Sequence, residues 1–459
     1  MTIKEIINIC NGELFSGTEE LEMKNFSRDT RTISSGDIYV GIKGESFNGN
    51  EFYQDAFNSG AIACLLDKDY ENKLDKGNNK TIILVEDTIK AVQDLADYKL
   101  KNANIPVIAI TGSVGKTSTK DMIYSVVSKK YNVLKTKGNF NNLIGLPFTV
   151  LELKDENAIV LEMGMNHLNE ISTLSKIAKP DIAVITNVTS SHIGLLGSQE
   201  NILKAKLEII DGLKPNGVLI YNNDNEYLHN SDIKVNKYTY GIHNQSDLMA
   251  TNIEFTDKAK FNIVDNAGHG GTDPGTFEIK VNTESFILNS LAAIAVGIKL
   301  DIPFNDINDA LKDFELTGGR LEDETLKNGI RLINDAYNAS LDSIKNAIDY
   351  LLNIKDRRHV AIIGDIFELG DYSQSIHKQV GEFIAKSKVN YLIAIGNDAR
   401  YIFERAMECG MNPAYIKYFP DKESSYDYLK SFLKPNDAVI VKASNGMKFN
   451  EIVNKIREI

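Results

Sequence analysis

This sequence predicts an α/β fold of three domains: a small N-terminal α/β domain, a central parallel sheet of the P-loop ATPase type and a C-terminal Rossmann-like domain. Three observations predict it. The chain has 459 residues, too many for one core, and a prior of roughly 150 residues per domain suggests about three domains. Near-continuous apolar runs alternate with segments of helical spacing, the pattern of parallel strands covered on both faces. Finally, the run Val107-Ile108-Ala109-Ile110-Thr111 breaks into Gly112-Ser113-Val114-Gly115-Lys116-Thr117-Ser118 ahead of a helical stretch, which reads as strand, phosphate loop and helix.

In chain order, residues 1–104 read as the first domain, 105–313 as the second and 314–459 as the third. In the first, Gly36 to Ile42 reads as a turn and strand, Phe52 to Ser59 as a helix and Ala61 to Leu66 as a buried strand. A helix with periodic Ile89, Val92, Leu95 and Leu100 follows, and Asn102 to Pro106 reads as the linker. The second domain continues after the phosphate loop with strands at 158–162, 181–187 and 217–222. The glycine-rich stretch Ala267 to Gly275 has no lysine close behind it, so it reads as a mobile hairpin turn rather than a second phosphate loop. After Gly318-Gly319-Arg320, strands at 331–335, 360–364, 391–396 and 437–442 each end in a polar residue or glycine, which suits a doubly wound sheet binding ligands at its carboxyl edge.

Hydrophobic content of 42% and charged content of 25% are those of an ordinary globular chain, not a disordered one. A net charge of -12 with no basic stripe argues against nucleic-acid or anionic-membrane binding, so any anionic ligand needs a local site. Cys10, Cys64 and Cys409 are far apart and odd in number, which implies no disulfide framework and fits a reducing cytoplasm. The charged N-terminus reads as no signal peptide, and no apolar run is of membrane-spanning length; a cytoplasmic protein without membrane insertion is expected.

The phosphate loop carries the chemistry. Glycines let backbone N–H groups approach phosphate oxygens, a helix N-terminus adds its positive end, Lys116 can reach the outer phosphates and the Thr117 hydroxyl can ligate Mg²⁺. Gly112, Ser113, Val114, Gly115 and Ser118 complete the cradle. An ordinary strand-to-helix turn would not need the Lys-Thr pair directly after its second glycine. Other signals are two-sided. Glu162 ends a strand where a metal on the nucleotide would lie, or faces solvent. His192 follows another strand, on the same edge. Asn139, Asn141 and Asn142 serve either a ligand or turn chemistry. Lys204 and Lys206 read as part of the solvated face of an amphipathic helix.

Several motifs in order, taken together, resemble the Mur ligases of peptidoglycan synthesis. They are Thr111 to Thr117, Gly138-Asn139 with Asn141-Asn142 and Ile144-Gly145, Glu162-Met163-Gly164, Ala205-Lys206 with Glu208, Asn289 before Leu291-Ala292-Ala293, and Gly319-Arg320. Asp335-Ala336-Tyr337-Asn338-Ala339, Gly364-Asp365 with Glu368-Leu369-Gly370, and His377 look like the branch of the family that adds D-alanyl-D-alanine. Asp29-Thr30-Arg31, Gly36-Asp37 and Gly60-Ala61 extend the resemblance through the first domain.

The resemblance implies an ATP-dependent, amide-forming ligase with UDP-N-acetylmuramoyl-tripeptide and D-alanyl-D-alanine as substrates, acting as a monomer. It implies that Lys116 and Thr117 bind ATP phosphates and Mg²⁺, that Glu162 and His192 hold metal, two ions in all, and that Lys206 is carbamylated into a metal-bridging carboxylate. It further implies that Asn289, Arg320 and Asp335 bind the nucleotide, that Asp29, Thr30 and Arg31 with the 44–50 loop recognise the UDP-sugar, and that the asparagines, Tyr337 and Asn338 bind substrate. The chain departs from the family pattern at Asn48-Gly49-Asn50, Ser285-Phe286, Ser340-Leu341 and Asn445. Two alternatives are a related ligase with another amino-acid acceptor and a nucleotide-dependent switch; the elaborate first domain argues against the switch, which would not require it.

Overall fold

The computed structural model describes residues 1–44, 46–75, 79–268, 275–316 and 318–459. Among these the strands form three sheets, following one another along the chain. The first runs Glu13–Ser16, Thr81–Val85, Ala63–Asp67, Ile38–Val40, Phe26–Ser27, parallel except at Glu13–Ser16. The helix Thr88–Ala103 starts at Asp87, whose carboxylate accepts from the N–H groups of Ile89 and Lys90. It takes in Asn102 and Ala103 and stops at Asn104 in the left-handed conformation, so the linker is shorter than its composition suggests. This helix docks the first domain onto the helix Gly145–Leu151 through Ile144, Phe148 and Leu151. Gln93 Nε2 donates to the Leu143 carbonyl at 3.0 Å and Lys99 Nζ to that of Leu151 at 2.7 Å.

The second sheet has nine strands among the described residues. Its order is Thr276–Ile279, Ala259–Asp265, Leu248–Phe255, Lys237–Gly241, Val218–Asn222, Ile182–Ile185, Val107–Thr111, Ala158–Glu162, Val133–Lys135. The strands from Leu248–Phe255 to Val133–Lys135 are parallel, and Val107–Thr111 and Ala158–Glu162 are buried along their whole length, as their unbroken apolar runs require. Ile108, Ile110, Val160 and Val184 are fully buried, each contributing about 2 kcal/mol. The βα reading of this domain stops at Gly241: the last two strands are an antiparallel extension that the sequence reading missed. Ala259–Asp265 pairs with Thr276–Ile279 across the glycine-rich stretch, of which residues 269–274 lie outside the described residues.

The third sheet runs Glu322–Thr325, Arg331–Asn334, Asp437–Lys442, Arg358–Gly364, Tyr391–Ile395, Ile416–Phe419, with only the first strand antiparallel. Asp437 is fully buried at its base and accepts from Arg358 Nε at 2.5 Å, Arg358 Nη2 at 2.6 Å and the Lys434 N–H at 2.8 Å. His377 is buried in the helix Ser373–Lys386. Its Nε2 accepts from the Ile366 N–H at 3.0 Å, which leaves Nδ1 as the donor to the Ser373 carbonyl at 2.8 Å. Burial lowers its pKa and favours that neutral ring, so His377 is an internal brace for the loop after Gly364.

Removing one partner of a buried, doubly hydrogen-bonded ion pair leaves the other uncompensated. Asp437→Ala is expected to lower the stability of the third domain by about 3 kcal/mol, read by urea unfolding followed by circular dichroism. An unmoved transition would show that the pair does not anchor the sheet.

Candidate active site

The phosphate-loop strand lies between the strands that end at Glu162 and Ile185, so its carboxyl end opens where connections leave in opposite directions. The third sheet turns its own carboxyl edge toward the same place. Residues following Arg331–Asn334, Arg358–Gly364 and Asp437–Lys442 join those of the second sheet around a cavity of about 450 Å³.

The loop is held open by its neighbours. Gly112 has φ +150°, and a Cβ there would stand 2.0 Å from Thr186 Oγ1. The Val114 N–H donates to Asn187 Oδ1 at 2.8 Å, while Thr186 Oγ1 and Asn187 Nδ2 donate to the Val114 carbonyl at 2.7 and 3.0 Å. Ser113 Oγ accepts from the Thr189 N–H at 3.0 Å. Asn289 Oδ1 stands 2.9 Å from where a Cβ on Gly115 would lie, so the asparagine abuts the loop. Lys116 Nζ folds back onto the carbonyls of Gly112 at 2.8 Å and Ser113 at 3.3 Å, and burial lowers its pKa while Glu162 opposes that.

Glu162 is 2% exposed. One carboxylate oxygen accepts from Thr117 Oγ1 at 2.8 Å, the other from Asn141 Nδ2 at 2.8 Å, and Lys120 Nζ stands 4.0 Å away. Asn139 also lines the cavity, but Asn142 does not: its Oδ1 accepts from the N–H groups of Ile144 and Gly145 and starts the helix Gly145–Leu151. Of the three asparagines, two reach the site and one is turn chemistry.

Lys206 corrects the solvated-face reading of its helix. Lys204 faces solvent, whereas Lys206 is fully buried with no hydrogen-bond partner for Nζ. Burial, reinforced by the charge of Lys116, holds its pKa well below the ordinary lysine value. It lies behind the cavity wall and does not line it. Glu208 serves the fold instead, accepting from the N–H groups of Asn169 at 2.7 Å and Ser172 at 3.2 Å.

His192 lines the cavity in the left-handed conformation, with Nδ1 2.7 Å from Glu368 Oε2. His192 beside it holds the Glu368 carboxyl below the usual range. Across the cavity, the Arg320 guanidinium stacks 3.8 Å from the Tyr337 ring centroid. Asp335, 8% exposed, accepts from Lys442 Nζ at 2.5 Å and the Leu321 N–H at 3.1 Å; burial pushes its carboxyl up and Lys442 opposes. Lys442 also donates to the Asn338 carbonyl at 3.0 Å. Asn338 and the departures Ser285, Phe286, Ser340, Leu341 and Asn445 all lie on the wall.

Asp29, Thr30 and Arg31 are not on this wall. They follow the strand Phe26–Ser27, where Arg31 holds the Asp29 carboxyl down to about 2 through its hydrogen bonds. Their neighbour Arg28 reaches the second domain, 5.0 Å from the Phe140 and 5.5 Å from the Phe148 ring centroids. Sequence reasoning gave no role to Thr186, Asn187, Lys120 or Glu368. The position of Asn187 at a strand end beside the phosphate loop was the available signal for the first two.

The Mur ligase middle domain matches residues 110–297 and the Mur ligase glutamate ligase domain residues 319–445. The chain is 37% identical over 460 aligned positions to the UDP-N-acetylmuramoyl-tripeptide--D-alanyl-D-alanine ligase of Bacillus subtilis, covering 100% of this chain and 98% of that one. The fold superposes on a crystal structure of MurF from Acinetobacter baumannii with a TM-score of 0.89 and 27% identity, covering 100% and 99% of the two chains. It also superposes on the MurF ligase of Thermotoga maritima in complex with ADP, with a TM-score of 0.82 and 26% identity over 96% and 99%.

Gly112→Ala is expected to weaken binding of a non-hydrolysable ATP analogue by at least about tenfold in calorimetry, because the added carbon collides with Thr186 and displaces the loop. Circular dichroism should stay native. Wild-type affinity in the variant would show that the loop does not cradle phosphate.

Proposed function

Because this chain belongs to the Mur ligase family, we propose that the cavity joins D-alanyl-D-alanine to UDP-N-acetylmuramoyl-tripeptide at the expense of ATP, in peptidoglycan precursor synthesis. The observation that carries this reading is one cavity walled by a phosphate loop on one side and by Arg320, Asp335 and Glu368 of the third domain on the other. The chain is an ATP-dependent ligase. A switch would need the phosphate loop alone; this wall adds Tyr337, Asn338 and Glu368 of the third domain to it.

A carboxylate is a poor acylating agent, so the γ-phosphoryl group of ATP passes first to the terminal carboxylate of the tripeptide. The amine of D-alanyl-D-alanine attacks the carbonyl carbon of the resulting acyl phosphate. A C–N bond forms, and the tetrahedral species expels phosphate as the nitrogen loses its proton. The chain supplies position and charge. Lys116 leaves its two loop carbonyls for the outer phosphates, the loop N–H groups hold them, and Asn289, Arg320 and Asp335 hold the rest of the nucleotide. Asn139, Asn141, Tyr337 and Asn338 contact substrate, and Asp29, Thr30 and Arg31 of the first domain recognise the UDP-sugar. On this reading residues 1–104 bind the UDP-sugar, 105–313 ATP and 314–459 the dipeptide.

The donor set fits Mg²⁺. Thr117 and Glu162 meet at 2.8 Å beside Lys116 and offer hard oxygens, and Mg²⁺ is commonly held by one or two such groups together with substrate phosphates. No group of three or more His, Cys, Asp or Glu able to hold a metal ion is found among the described residues, so an ion here would need further oxygens from the substrate phosphates. Thr117 and Glu162 would hold one ion, and Glu162, His192 and a carbamylated Lys206 a second. Bound there, Mg²⁺ neutralises charge on the transferring phosphoryl group. An unpartnered buried amine whose pKa is driven well down is the neutral form that adds CO₂, which supports carbamylation of Lys206.

Among the described residues no helix is long and apolar enough to cross a membrane, and Cys10, Cys64 and Cys409 are free. These features support a cytoplasmic site of action.

With ATP and Mg²⁺, phosphate release is expected only when UDP-N-acetylmuramoyl-tripeptide and D-alanyl-D-alanine are both present, alongside a product heavier by the dipeptide. Release with neither substrate would favour the switch, and product from another amino acid the related ligase. Separately, ¹³C-bicarbonate is expected to give a carbamate resonance in the wild-type protein and none in Lys206→Met; its absence from both would sink the carbamylation reading.

A further inference from the structure

Three carboxylates line the cavity among the described residues: Glu162, Asp335 and Glu368. Their surroundings differ. Glu162 is 2% exposed and both its oxygens are taken, by Thr117 and Asn141. Asp335 is 8% exposed and held by Lys442 and the Leu321 N–H. The Glu368 side chain is 51% exposed, and among the described residues only His192 faces it within ion-pair distance. A carboxylate can accept about four hydrogen bonds, so Glu368 has capacity for a further charged donor.

Its position is built. Glu368 has φ +63°, a conformation that few non-glycine residues adopt, and its carbonyl accepts from the Gly194 N–H at 3.2 Å. A Cβ on Gly194 would stand 2.5 Å from the Leu369 carbonyl carbon, so the two backbones meet where only glycine fits. Tyr372 Oη donates to the Gly197 carbonyl at 2.9 Å. On the other side of the loop, the Phe367 N–H donates to Ser444 Oγ at 2.8 Å. The third domain thus sets one half-open anionic group down beside the second domain, close enough to Lys116 for the charges to interact.

The acceptor of an amide-forming ligase arrives with a free amino group, an ammonium in neutral solution, and it must reach the acyl phosphate from outside the phosphate loop. We propose that Glu368 is the carboxylate that binds this amino group and so selects an acceptor with a free amine. This rests on the ligase reading. The ammonium shares the carboxylate with His192, and His192 and the Gly194 contact hold it in place. Glu162 and Asp335, buried and each already bonded through both oxygens, stay with the nucleotide side of the site.

The test is steady-state kinetics of Glu368→Gln with all three substrates. Losing a charge-assisted hydrogen bond is expected to raise the KM for D-alanyl-D-alanine by about tenfold or more, while the KM values for ATP and the UDP-tripeptide stay put, and Glu368→Asp should recover part of the loss. A second readout uses an analogue of the acceptor. D-lactyl-D-alanine, with a hydroxyl in place of the amine, should inhibit the wild-type enzyme far more weakly than the dipeptide binds, and that gap should close in Glu368→Gln. An unmoved dipeptide KM, an equal rise for all three substrates, or a hydroxyl analogue that binds as well as the dipeptide would each overturn the inference. Wild-type protein that forms no product from this pair would overturn the ligase reading, and the inference with it.

Discussion

The carboxylate of Glu162, clasped by Thr117 on one side and Asn141 on the other, is the interaction on which the rest of the site depends. Thr117 belongs to the phosphate loop, Glu162 to the neighbouring strand and Asn141 to the amide-rich loop that leads into the helix carrying the first domain. One group therefore fixes three separate pieces of chain. A buried carboxylate is tolerated only when its lone pairs are filled and a cation is near, and Lys120 at 4.0 Å meets the second condition. The phosphate loop is pinned from its other flank by Thr186 and Asn187, so its backbone donors are set before any nucleotide arrives.

The second constraint is that two sheets turn their carboxyl edges on one volume. Each sheet offers an incomplete set: the second has the phosphate loop and Glu162, the third has Arg320, Asp335 and Glu368. The close approach of Gly194 to the Leu369-Gly370 backbone, with no room for a side chain, sets how the halves face each other. Single-turnover rates compared with steady state would tell whether separating these halves limits turnover, since the proposed nucleotide contacts Arg320 and Asp335 belong to the third domain.

Much of the fold was legible because parallel strands buried on both faces leave unbroken apolar runs, as at Val107–Thr111 and Asp437–Lys442. The antiparallel strands Ala259–Asp265 and Thr276–Ile279 were missed for a related reason: half-exposed and polar on one face, they carry the weaker alternating pattern and sit beyond the last βα unit. In the site, the glycines, Lys116 and Thr117 of the proposed phosphate cradle were legible because such a cradle is local chemistry with fixed spacing. Asn141 and Asn142 could not be told apart, since adjacent loop side chains with the same chemistry diverge, one to Glu162 and one to cap a helix.

By itself the sequence determined what short-range chemistry fixes: the three α/β units, the phosphate loop with its lysine and threonine, and the strand-end position of Glu162. Only the tertiary structure decided matters that depend on packing between distant segments. Whether Lys204 or Lys206 faces water depends on which side of one short helix other elements cover. That Glu368 stays half open while Asp335 is sealed by Lys442 depends on contacts 107 residues apart in one case and on the docking of two domains in the other. Burial and pairing are properties of the assembled surroundings, and a side chain does not carry them in its name.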